Sequence, residues 1–284
     1  MLARDMGVNR RHFIFCAAAL ALAPSAAAAA PFSSTRMTVE VRGSGRDVIL
    51  IPGLSAGRAI WGSTVRAVPG YRYHLVQVAG FAGEPARGNG RGPIVAPLAA
   101  ELVRYIEANG LRRPAIIGHS MGGTLAMMLA ADHPRLVGPI MVVDMVPAPA
   151  ALFGQNPDDA SALARSIAGL TQTEGGRRLF SSLVNVFAPQ SSTFRTADPA
   201  VVGRAMNELA AIDLTGRLPA IRAPLTVVYA AQSARLGPAA DRRYRRVYAG
   251  ARSARFVRID NSGHMIMVDQ PERLQEAVRD FLDR

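Results

Sequence analysis

The chain has 284 residues, enough for one large domain or two small ones, and 49% of them are apolar, ample for a core. Its formal net charge of +12 rests on arginine alone, because no lysine occurs, and the arginines are spread along the chain with only short clusters at Arg112–Arg113, Arg177–Arg178 and Arg242 to Arg246. Aromatic residues are only 6%, which argues against the basic, aromatic-interleaved face of a nucleic-acid binder, and no apolar stretch reaches the ~20 residues of a membrane span.

The first 30 residues read as an export signal. Arg10 and Arg11 precede an apolar, alanine-rich stretch from Phe13 to Ala23, and the Ala26 to Ala30 run offers small-x-small cleavage sites ahead of Pro31. The arginine pair resembles a twin-arginine signal; an ordinary secretory signal holding two arginines is the alternative. Cleavage near Ala26–Ala30 would leave a periplasmic or secreted protein. It would remove Arg4, Arg10, Arg11 and Asp5 and lower the charge from +12 to +10. The one cysteine, Cys16, would leave with it, which excludes disulfides, thiol catalysis and cysteine metal ligands from the mature chain. Ile14 and Phe15 are too bulky for a lipoprotein site ahead of Cys16.

Strand and helix patterns then alternate. Met37 to Val41 and Asp47 to Ile51 read as strands around the turn Gly43-Ser44-Gly45, and Tyr73 to Val78 as a third. Gly80 to Pro93 reads as a mobile, substrate-facing loop. Ile94 to Asn109 reads as a helix with Leu98, Leu102, Tyr105 and Ile106 on one face, stopped by Gly110. Pro139 to Asp144, Leu225 to Tyr229 and Arg255 to Ile259 are further strands, and Pro271 to Leu282 is a closing helix. Such alternation predicts a mostly parallel sheet covered on both faces. Residues 147–215 break the rhythm with Pro147, Pro149 and Pro157, followed by three helical segments, Asp158 to Leu170, Glu174 to Phe187 and Pro199 to Ile212. They read as a helical cap, the alternative being helices that simply pad the sheet. The domain plan is therefore a signal over 1–30, a core over 31–146 and 216–284, and a cap over 147–215.

Three motifs carry chemistry. Gly118-His119-Ser120-Met121-Gly122-Gly123 lies between the apolar run Pro114 to Ile117 and the helical run Thr124 to Ala130. A strand entering a tight turn and leaving as a helix exposes the Ser120 hydroxyl, and the glycines let strand and helix approach. The alternative is a glycine-rich turn with an idle serine. Ile51-Pro52-Gly53-Leu54 follows the second strand, and Asn261-Ser262-Gly263-His264 precedes the last helix. Over roughly residues 37–284 the chain resembles the α/β-hydrolase family through these motifs and their order. The resemblance implies a mostly parallel central sheet with helices on both faces and an inserted cap. It makes Ser120 the nucleophile and His264 its base, and places the oxyanion donors at the backbone N–H groups of Met121 and Leu54. His12, His74 and His133 compete poorly for the base, and His119 belongs to the elbow.

The acid departs from the family pattern. Most members carry an aspartate just after the Leu225 to Tyr229 strand, where this chain reads Ala230-Ala231-Gln232-Ser233-Ala234-Arg235. A neutral amide such as Gln232 orients a histidine but does not stabilise an imidazolium by charge. Asp144, closing the strand after the elbow helix, is the leading replacement, as in some family branches; Asp260 and Asp241 are the other candidates. Met145, Met265 and Trp61 lie near these residues in sequence and read as an apolar substrate wall, with core packing as the bland alternative. No H-E-x-x-H, P-loop or complete dinucleotide fingerprint occurs, so no metal and no cofactor is expected. The expected activity is hydrolysis of small to medium apolar carboxylic esters. Lactonase, amidase, aminopeptidase and acyltransferase reactions would use the same residues, and a non-catalytic ligand-binding protein on the same scaffold is the reading of another class. Natural substrate and oligomeric state are left open by these residues.

Overall fold

In a computed structural model describing residues 32–150 and 196–284, the strand patterns assemble into a seven-stranded sheet. The strands are β1 (Met37–Arg42), β2 (Arg46–Ile51), β3 (Tyr71–Val78), β4 (Ala115–His119), β5 (Ile140–Val143), β6 (Leu225–Ala231) and β7 (Ala254–Asp260). Their spatial order is β1-β3-β2-β4-β5-β6-β7, and every neighbouring pair is parallel except β1 with β3. The helices are α1 (Gly62–Ala67), α2 (Val95–Ala108), α3 (Met121–Asp132), α4 (Pro199–Ala211), α5 (Gly237–Val247), α6 (Ile266–Asp269) and α7 (Pro271–Leu282).

Central strands of a covered parallel sheet are apolar on both faces, and the core divides accordingly. Ile49, Ile51, Ile116, Val142 and Val227 point into one cluster with α2, α3 and α5. Their neighbours Val48, Leu50, Ile117, Met141 and Val228 point into another with Trp61 and α7. Among the described residues the expected strands and the helices α2, α4 and α7 appear within two residues of their bounds. Helix α5 was not among the expected elements: it buries only Gly237 and Tyr244, with its C-cap Tyr248, and four arginines stand among its other residues, so its apolar face is narrow.

Of the expected cap, Pro199–Ala211 is a helix, capped by Asp198 Oδ1 on the N–H groups of Ala200 and Val201. The segments Asp158 to Leu170 and Glu174 to Phe187, and the expected signal over 1–30, lie outside the described residues. The Leu214 N–H donates to the Pro147 carbonyl at 3.0 Å, so the two ends of the excursion between β5 and β6 meet.

The segment Gly80 to Pro93 is tied down rather than free. Phe81 is buried, and Asn89, also buried, donates to the carbonyls of Arg36 and Ala79 and accepts from Arg36. Its glycines and prolines gave the look of a mobile loop, but one amide side chain supplies three anchoring bonds. Beside it, the two oxygens of Glu208 on α4 accept the N–H groups of Ile94 and Val95 at 2.8 Å each, capping α2 from another element. Among the described residues no helix is long and apolar enough to cross a membrane.

Removing that cap leaves two helix-start donors unpaired. Glu208→Ala is expected to lower unfolding stability by about 1–2 kcal/mol, read from the denaturant midpoint.

Candidate active site

The candidate residues stand at the carboxyl ends of the central strands. Ser120 follows β4 directly and is the N-cap of α3, with φ 52° and ψ −120°. That conformation lies in the region side chains avoid, and the surrounding glycines make it possible. A Cβ on Gly118 would collide with the Gly122 backbone, and one on Gly122 would collide with the Ile51 carbonyl. Strand, turn and helix thus approach more closely than any other residue type allows.

Met121 opens α3, so its N–H has no partner within the helix. The Pro52-Gly53-Leu54 segment lies against the elbow, because a Cβ on Gly53 would sit 3.0 Å from Ser120 Cβ. Met121 and Leu54 therefore flank the serine from the helix and the β2 loop respectively.

Strain gathers at this rim. Among the described residues, seven non-glycine residues have positive φ, and four of them are Ser55, Ser120, Asp144 and Asn261, following β2, β4, β5 and β7. Each such conformation costs roughly 1–3 kcal/mol and persists only where surrounding contacts enforce it.

Asp144 and His264 are brought together: His264 Nδ1 lies 2.7 Å from Asp144 Oδ2. Asp144 Oδ1 accepts from the Ala230 N–H at 3.0 Å and from the Tyr244 hydroxyl at 2.9 Å. Burial pushes this carboxyl upward. The His264 hydrogen bond and charge, followed by the Ala230 and Tyr244 bonds, outweigh it and hold the group below the ordinary aspartate value. An ionised carboxylate only accepts, so His264 holds a proton on Nδ1 toward Asp144, and Nε2 lies on the far side of the ring from that bond. Among the described residues no hydrogen bond links the Ser120 hydroxyl to His264. Catalytic hydrogen bonds often close only around bound substrate.

The other acid candidates are engaged elsewhere. Asp241 and Asp260 both pair with Arg258, at 2.6 and 2.8 Å, and Asp241 also accepts from Tyr229. Gln232 is exposed. The Asp144 carboxylate reaches across to the backbone of β6 at Ala230, close to where most of the family would place the acid itself.

The histidine loop is tied from both sides. The Ser262 N–H donates to the Ala231 carbonyl, the Gly263 N–H to Asp269, and Gln270 to the Asn261 carbonyl. From the elbow, His119 Nε2 donates to the His264 carbonyl at 2.9 Å, with the two rings 4.7 Å apart. A carbonyl only accepts, so His119 holds its proton on Nε2, and its buried Nδ1 has no partner. Burial, then the neighbouring His264, push the His119 pKa down to about 3. It is a neutral strut between nucleophile turn and base loop, a role the G-x-S-x-G pattern does not announce.

Trp61, Met145 and Met265 are 0%, 1% and 6% exposed and belong to the two cores. They back the site as packing; the expected open apolar wall does not form from them, because each side chain is spent against the sheet. Among the described residues no group of three or more His, Cys, Asp and Glu side chains forms a metal-binding cluster.

A sequence profile of the Alpha/beta hydrolase family matches residues 48–277. A pimeloyl-[acyl-carrier protein] methyl ester esterase of Aromatoleum aromaticum is 25% identical, covering 83% of this chain and 98% of its own. An N-formylmaleamate deformylase of Pseudomonas putida is 26% identical, covering 85% and 90%. Among solved structures, a thermophilic esterase from Thermogutta terrifontis superposes with a TM-score of 0.73 at 23% identity, covering 87% of this chain and 93% of that one. The enol-lactonase from Burkholderia xenovorans LB400 gives 0.71 at 20%, covering 87% and 96%. The two structures share the fold.

A histidine held neutral in the fold costs stability on acidification. The unfolded chain takes up the proton near pH 6.5 and the folded one only near 3, so stability present above pH 6.5 is lost as pH falls through that window. His119→Gln, which keeps a donor toward His264, is expected to flatten the pH dependence of unfolding free energy between pH 6.5 and 4, by up to about 1.4 kcal/mol per pH unit. Denaturant titrations at four pH values measure it.

Proposed function

The chain belongs to the alpha/beta hydrolase family, and from that membership we propose that it is an exported serine hydrolase that cleaves small carboxylic esters through Ser120, His264 and Asp144. The observation that carries this reading is the 2.7 Å contact between His264 Nδ1 and a buried, ionised Asp144, which leaves the base's Nε2 free for a serine on the adjacent elbow. The named relatives, an esterase and a deformylase, are consistent with a small-molecule substrate and hydrolytic chemistry.

In this mechanism Ser120 Oγ attacks the ester carbonyl carbon while His264 Nε2 takes the hydroxyl proton. The carbonyl oxygen becomes an oxyanion held by the N–H groups of Met121 and Leu54. His264 returns the proton to the departing alkoxide, and an acyl group stays on Ser120. Water, deprotonated by His264, repeats the attack and releases the acid. Asp144 remains ionised throughout and stabilises the imidazolium formed twice per turnover.

The binding-only alternative drew on the missing carboxylate at Gln232; the Asp144–His264 contact favours the catalytic reading over it. Export is proposed from the Arg10–Arg11 pair and the alanine run before Pro31.

Three tests follow from these roles. The purified protein turns over short p-nitrophenyl esters, and Ser120→Ala loses on the order of 10,000-fold or more in kcat. Undiminished turnover in that variant would remove Ser120 as nucleophile. Asp144→Asn is expected to lose on the order of 1,000-fold or more while remaining folded, whereas Asp241→Asn and Asp260→Asn stay within about tenfold. Mass spectrometry of protein expressed with its full leader should find a new N-terminus between Ala26 and Pro31; an intact Met1 start would end the export reading.

A further inference from the structure

Asp144 accepts a hydrogen bond from a tyrosine 100 residues away in sequence. Tyr244 lies on α5, is buried, and donates its hydroxyl to Asp144 Oδ1 at 2.9 Å. The Ala230 N–H shares that oxygen at 3.0 Å, so both fixed donors fall on Oδ1 while Oδ2 is left to His264 at 2.7 Å. Tyr244 is itself held: its ring stacks on Tyr229 at 4.2 Å with an 18° interplanar angle. The Tyr229 hydroxyl donates to Asp241 Oδ1 at 2.6 Å, and Arg258 on β7 binds Asp241 Oδ2 at 2.6 Å. A chain of contacts thus runs from Arg258 through Asp241, Tyr229 and Tyr244 to the acid.

A phenol that only filled space in this core would be as well served by phenylalanine. This one brings a donor to a carboxylate that closes a central strand in a left-handed conformation, φ 49°. We propose that Tyr244 is the positioning residue of the acid, fixing the Asp144 carboxylate so that Oδ2 faces His264 Nδ1 and drawing part of its charge onto Oδ1. The proposal rests on the triad reading above. A carboxylate with one donor fewer on Oδ1 turns more freely about its terminal torsion, and it concentrates more charge opposite His264, which raises the proton affinity of that imidazole. The titratable and charged groups around the pair are His264 and His119 on one side, Tyr244, Arg243 and Tyr248 on and after α5, and Tyr229 on β6. The Tyr248 hydroxyl is committed to the Met145 carbonyl at 2.8 Å.

The test is a double-mutant cycle on the full enzyme with p-nitrophenyl esters. Tyr244→Phe keeps the stacked ring and removes only the donor. It is expected to lower kcat on the order of tenfold with KM little changed, and to move the acid limb of kcat/KM upward by roughly half a pH unit or more. In an Asp144→Asn background the same substitution should change kcat less than twofold, because its effect passes through that carboxylate. Should Tyr244→Phe not be recovered folded, Tyr244→Met, whose flexible side chain fills the same gap, carries the same expectations. A variant with wild-type kcat and an unmoved acid limb, whatever its melting temperature, overturns the proposal, as does an undiminished effect in the Asp144→Asn background. Near-normal turnover in Asp144→Asn alone is the distinct result: it defeats the triad reading itself.

Discussion

Everything in the site turns on one buried carboxylate that accepts three hydrogen bonds. Asp144 closes β5, accepts from the β6 backbone through Ala230, from α5 through Tyr244, and from the loop after β7 through His264. Those donors come from three separate stretches of chain, all C-terminal to the excursion that leaves after β5. Burial alone would favour a neutral acid; three hydrogen bonds reverse that preference. The ionisation state and the imidazole tautomer are therefore consequences of how the C-terminal half of the sheet packs, not of Asp144 alone.

The N-terminal half supplies the other side of the site by close approach. Glycines at 53, 118 and 122 let the β2 loop, the elbow strand and α3 meet at distances a Cβ would forbid. The halves are then joined across the sheet by His119, whose Nε2 holds the His264 carbonyl. Ser120 and His264 thus do not depend on a contact of their own to stay in register, since the His264 backbone is tethered to the residue beside Ser120.

Much of this was legible in the residues. The elbow is a local motif, and the strands of a covered sheet announce themselves as apolar runs, so Ser120, β2, β4 and β5 could be placed directly. His264 followed from chain order. Asp144 was named by resemblance to family branches that place the acid after this strand, with Asp260 and Asp241 left open, because the residue at the usual position, Gln232, carries no charge. The partners that make these residues effective were not legible. Tyr244 lies 100 residues from Asp144 on an arginine-rich helix that buries only Gly237 and Tyr244, and Glu208 caps a helix more than a hundred residues upstream. Long-range hydrogen bonds leave no spacing to read. Trp61, Met145 and Met265 were near the site in sequence and are core in space, because adjacency to a catalytic residue does not say which face a side chain takes.

An acid on β5, as proposed for Asp144, also changes what the end of β6 is free to become. The largely exposed run Gln232 to Leu236 holds none of the proposed catalytic residues, while α5 beyond it is fastened independently through Asp241 and Arg258. In a protein whose acid sat there, any change of loop length would move a charge relative to its histidine. Here that rim segment can drift in length and composition between related sequences, or accept a grafted recognition loop, with the chemistry anchored one strand away.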